Sequence, residues 1–164
     1  MVVASAEGCG GKRMSITQKD LVVRMIQQLA DVFGRVVGLK RAGRLDEAVE
    51  LVQSTATNLF GPVWDTLSRV DASSASMMLG SREKVSACAM LTQHRAELDD
   101  LRGDVWKAQA GYKRALELHL EAARLGADVD VPTRAALKAL RPRVDESKLS
   151  KSYQMQLERI SGPR

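Results

Sequence analysis

The chain has 164 residues, of which 45% are apolar, 27% charged and only 4% aromatic, and its formal charge is +5. That length suits a single domain with a real core, which Leu, Val, Ala and Met must fill because aromatics are scarce. No apolar run approaches the ~18 residues of a membrane-spanning helix, and two cysteines, Cys9 and Cys88, are too few for a disulfide framework, which implies a reducing, cytoplasmic setting.

Residues 1–14 are Gly-rich and carry no helical stripe. Their short apolar stretch precedes Lys12 and Arg13, the reverse of a secretory signal. They are expected to be a disordered leader, with Met1 or Met14 as the natural start; residues 15–160 form one all-helical domain and 161–164 a disordered tail. Ser15 and Gln18 have the spacing of a capping box. From there Val22, Met25, Ile26, Leu29, Val32, Phe33, Val36 and Val37 recur at three and four, which predicts one helical stripe closed at Ala42-Gly43. A second helix runs through "RLDEAVELVQSTATNLF" until Gly61-Pro62 breaks it. Two short helices follow, "VWDTLSRV" and "ASSASMMLG", the latter capped by Asp71 and closed by Gly80. Met77 and Met78 are expected as core filler, and Trp64 and Trp106 as packing anchors, with Trp106 nearer the surface.

Ser81 caps a long helix, "EKVSACAMLTQHRAELDDL". Gly103 reverses the chain, and Asp104 caps the next helix, expected to end at Gly126. Small Ala108, large Tyr112 and small Ala115 then describe a helical hairpin with a tight neck. Pro132 opens a short helix to Leu140, Pro142 interrupts it, and "ESKLSKSYQMQLERI" is expected as the final helix. Strand-like alternation is rare and hairpin turns of the Asn-Gly type are absent, so the fold class is all-α.

The Gly103, Ala108, Tyr112, Ala115 spacing and "YKRALEL" resemble the second half of a tetratricopeptide repeat, with Ala96 at the usual small position of the front helix. Asp99 stands where the front-helix aromatic usually is, and Leu120 where the closing proline is. A fainter copy has Gly43 and Ala48 at the same spacing, with Val52 and Thr55 in place of the later residues. The first helix, through Asp20, Arg24, Met25, Ile26 and Gln28, is similar to the opening of a bacterial domain family of unknown function. The resemblance implies antiparallel helical hairpins stacked in a tetratricopeptide-like array, with short helices between them.

Sites for chemistry are sparse. His94, His119 and Cys88 lie on two arms of one hairpin, yet no His-x-x-x-His or Cys-x-x-Cys spacing occurs, so no metal is expected. There is no Gly-x-Ser-x-Gly and no Walker-type loop, so no catalytic residue and no cofactor are expected. A non-catalytic protein-interaction or scaffold role fits better, with a groove lined by Phe33, Val37, Lys40 and Arg41 on the first helix and Gln93, Glu97 and Asp100 on the second front helix. Its partner would be a protein, with homo-oligomerisation following if two hairpins leave apolar faces uncovered. The alternative rests on charge: residues 131–164 hold eight Lys/Arg against three Asp/Glu. There Lys138, Arg141, Arg143, Lys148 and Lys151 form a basic patch for nucleic acid or another anionic surface.

Overall fold

The computed structural model describes residues 2–163, with side chains from residue 18. The expected leader over 1–14 and the expected cap at Ser15 lie outside the described side chains. Eight α-helices make up the described chain: α1 (Val2–Arg41), α2 (Leu45–Phe60), α3 (Val63–Leu67), α4 (Ala72–Leu79), α5 (Arg82–Leu101), α6 (Val105–Arg124), α7 (Val131–Leu140) and α8 (Lys151–Ser161). Two short 3-10 turns, Arg141–Arg143 and Glu146–Lys148, link α7 to α8. No strand occurs among the described residues, so the all-α class holds. No helix among them is long and apolar enough to cross a membrane.

Side chains that satisfy the free N–H groups of each first turn start most of these helices. Asp71 accepts from the Ser74 N–H, Ser81 from Lys84, and Asp104 from Lys107. Asp130 accepts from Thr133 and starts α7 one residue before the expected proline. Gly103 has φ +84°, a left-handed conformation that lets the chain turn from α5 into α6 without a Cβ clash.

The α5–α6 hairpin is the centre of the molecule. Leu91 and Leu98 of α5 pack with Leu29, Val32 and Val36 of α1 and with Ala48, Val52 and Ala56 of α2. Val85, Cys88 and Ala89 of α5 and Leu118 and Ala122 of α6 enclose Leu67 of α3 and Ala75 and Leu79 of α4. Tyr112, Leu116 and Leu120 of α6 receive Leu137 and Leu140 of α7 and Leu157 of α8. The neck is tightest at Gly111, where an added Cβ would lie 2.7 Å from the Ala96 Cβ. Ala108 and Ala115 are fully buried beside it, and Tyr112 fills the wider space one turn on, as its size predicts.

Four expectations change. Met77 and Met78 are exposed (78% and 46%), because α4 buries the Ala72, Ala75, Ser76 and Leu79 side and the methionines fall opposite. Trp106 is 83% exposed, since it lies on the far side of α6 from the Ala108–Tyr112 stripe. The last helix starts at Lys151. Asp145 captures the Ser147 N–H and hydroxyl, and Ser150, in extended backbone, caps the next turn; these local bonds compete with a continuous helix from Glu146. Finally, α1 does not bury its whole apolar stripe, for Ile26 and Val37 remain exposed.

Gly111→Ala should destabilise the protein by about 1–3 kcal/mol, because neither Cβ can rotate away. Ala96→Gly added to it should recover part of the loss; chemical denaturation of the three variants checks both. Tyr112→Ala should cost about 3–5 kcal/mol by the same measurement.

Candidate functional site

Helices α1 and α5 run side by side in the same sense, with Phe33 beside His94 and Lys40 beside Glu97. The Phe33 and His94 rings stack with centroids 4.0 Å apart and planes 23° from parallel. Next to the stack, Lys40 Nζ lies 3.3 Å from Glu97 Oε2, and Gln93 Nε2 donates to Glu97 Oε1 at 3.5 Å. The carboxylate only accepts, so the Gln93 amide turns its nitrogen to Glu97 and its oxygen inward. That oxygen meets His119 Nε2 at 3.2 Å, which places the His119 proton on Nε2. A polar chain thus runs from solvent at Lys40 through Glu97 and Gln93 to the buried His119.

The seven groove residues predicted from sequence therefore divide. Phe33, Lys40, Gln93 and Glu97 are joined in one cluster, and Val37 and Arg41 sit on the open side of α1. Asp100 stands apart: it accepts from the Tyr112 hydroxyl and from Arg143 Nη1, each at 3.2 Å, on the α6 side of the hairpin. His94 and His119 join the cluster without having been assigned to it. The i,i+3 spacing of His94 and Glu97 was a signal, whereas the Phe33 stack needed the packing of α1 on α5.

Burial of His119 pushes its pKa down to about 4, against a smaller upward pull from Asp130. His94 shifts downward for the same reason, opposed by Glu97 and reinforced by Lys40. Cys88 faces Val85, Ala89 and Leu118, and burial pushes its thiol up to about 11, far from reactive thiolate. Among the described residues no three of His, Cys, Asp and Glu gather in a way that could hold a metal.

The basic residues serve the fold in part. Arg141 is held by Glu146 at 3.1 Å and donates to the Gly162 carbonyl; Arg134 donates to Ile160 O. Both cations thus satisfy the carbonyl end of α8. Arg143 lies over the Tyr112 ring, 5.1 Å from its centroid. Lys138, Lys148 and Lys151 are exposed. A cavity of about 370 Å³ opens between α2, α3, α5 and α6, walled by Val52, Trp64, Leu91 and Gly111. Its charged groups are already engaged, Arg95 with Asp99 and Arg114 with the Leu67 and Val70 carbonyls.

The chain matches no family model, no curated protein and no solved structure.

The depressed His119 pKa sets a pH dependence. The unfolded chain protonates this histidine near its ordinary value of 6.5, the folded protein only near 4. Between those values the unfolded state binds more protons, so stability is full above about pH 6.5 and falls as the pH drops toward 4, by about 3 kcal/mol at most. Denaturation midpoints across pH 4–7 should show this slope. His119→Gln should make the slope shallower whatever its effect at neutral pH, leaving the part contributed by His94, which burial also shifts downward.

Proposed function

We propose that the protein is a non-catalytic interaction or scaffold module that holds a protein partner along the α1–α5 face. The observation that carries this reading is the composition of that face. An exposed apolar strip on α1, with Ile26 and Val37, borders the Phe33–His94 stack and the Lys40–Glu97 pair. Apolar contact area beside a few fixed polar groups is what helix and peptide recognition uses. Stacking of the two hairpins in the manner of tetratricopeptide repeats fits the same geometry. The α1–α2 and α5–α6 turns lie at one end, tied by Arg102 and Asp46 at 3.2 Å, and the front helices α1 and α5 run in one direction. In such an array the front helices line the concave surface. The resemblance of the first helix to a bacterial domain family supports the architecture alone.

Anion binding through the C-terminal segment is the second reading. It starts from fewer free cations than the sequence suggests, because Arg141 and Arg143 are engaged within the fold. Three lysines neutralising phosphates would give only a shallow salt dependence.

Capture of partners from the native cell, followed by binding measurements, ranks the two. Val37→Glu and Glu97→Lys should each weaken the captured partner at least about tenfold, the effect of losing an interface anchor. Lys138→Gln, Lys148→Gln and Lys151→Gln together should change it less than about threefold, the effect of rim charges. The opposite ranking, with affinity falling steeply in salt, assigns binding to the basic segment.

A further inference from the structure

The apolar surface of α1 is wider than the body that covers it. Met25, Leu29, Val32, Val36 and Leu39 belong to the core shared with α2 and α5. Val23, Ile26 and Val37 do not, being 51%, 53% and 36% exposed, and Ala30 between them is exposed as well. With Phe33, these residues fall at 23, 26, 30, 33 and 37, alternating steps of three and four, the spacing of a helix-pairing seam. Toward its N-terminal side α1 carries "LVVRMI" from Leu21 to Ile26, apolar on every side except at Arg24. α2 has 16 residues, so after the turn it runs beside only about the last four turns of α1. A helix that is apolar all round normally has neighbours all round.

We infer that this face pairs with the α1 helix of a second copy of the chain, antiparallel, making a two-fold dimer. The inference rests on the α1–α5 face being the binding surface proposed above, and names its occupant. Charge and size select both the partner and the direction. With the two-fold axis between Asp31 and Val32, Ile26 meets Val37 of the second copy, and the large Phe33 meets the small Ala30. Arg41 of the second copy then lies opposite Val22, about 3 Å along the axis from Asp20 and within reach of it through its long side chain. Asp20 and Arg41 are both exposed, and neither has an ion-pair partner among the described residues. The interface is isologous, so every contact occurs twice. A parallel pairing in register would instead set Arg41 against Arg41, Lys40 against Lys40 and Asp20 against Asp20, which like-charge repulsion disfavours.

Sedimentation of the full chain from about 1 to about 100 µM, a range that brackets micromolar association, tests this. The wild-type chain should sediment as a dimer. Ile26→Glu with Val37→Glu should give a monomer with unchanged helical circular dichroism, since both side chains are exposed within one chain. Asp20→Arg should weaken dimerisation about tenfold, because two attractive pairs become repulsive. Asp20→Arg with Arg41→Asp should restore it. A wild-type monomer throughout the range, or a dimer indifferent to Ile26→Glu and Val37→Glu, overturns the inference; failure of the charge swap to restore association overturns the antiparallel register. A monomer that still loses a captured partner on Val37→Glu would sink the dimer and leave the binding face standing. A dimer whose partner capture is insensitive to that variant would do the reverse.

Discussion

The α5–α6 hairpin closes as tightly as it does because Gly111 offers no side chain to Ala96. At that point an added Cβ would have no room, and both residues sit mid-helix, where the backbone cannot swing aside. The two helices are thereby held close along their length, and their outer surfaces serve as the floor for everything else. α1 and α2 settle on one side of α5, α3 and α4 in the angle between α5 and α6, and α7 and α8 on the far side of α6. A hairpin with a wider neck would move Ala96 of α5 away from Ala108, Tyr112 and Ala115 of α6, and would loosen the wall that α5 and α6 give to Leu67, Ala75 and Leu79.

Around this apolar frame, arginine does much of the joining. Arg114 reaches from α6 to the Leu67 and Val70 carbonyls where α3 ends, so a five-residue helix with little core of its own is anchored by its backbone. Arg124 gathers Gln156, Glu121 and Ser152, tying α8 to α6, and Gln156 Nε2 returns a bond to Leu120 O. Arg's planar fork suits such multi-point contacts to oxygen. Several of the positive charges are therefore fold-directed, which separates the sequence's high isoelectric point from any assumption about polyanionic partners.

Helix starts were legible at Asp71, Ser81 and Asp104, because capping is decided within three residues, whereas the caps Asp130 and Ser150 were hidden behind the proline and polar run that drew the expected starts elsewhere. Gly103 and Tyr112 were legible for a similar reason, since the turn and the hairpin neck are local in the chain. What sequence could not supply was the direction in which a short helix presents its faces. α4 has only eight residues, and its Ala and Ser positions proved better suited to the crowded angle between α5 and α6 than Met77 and Met78. The candidate site was half legible. Lys40 and Glu97 announced themselves by charge on front-helix faces, whereas the Phe33–His94 stack joins residues 61 positions apart and depends on how α1 crosses α5. Asp100, three residues from Glu97 on the same helix, was grouped with it by proximity, yet its carboxylate turns to Tyr112 and Arg143.

The contrast between the two tryptophans gives the molecule a pair of built-in optical probes. Trp64 stacks on Phe60 with ring centroids 5.6 Å apart, within the seam joining α2, α3 and α5, while Trp106 stands in water at the first turn of α6. An aqueous quencher reaches the second indole freely and the half-buried first one less, and loss of the core changes the emission colour of the first while hardly affecting the second. One emission spectrum therefore carries two separable signals, one from the packed interior and one from the hairpin tip, without any label being attached.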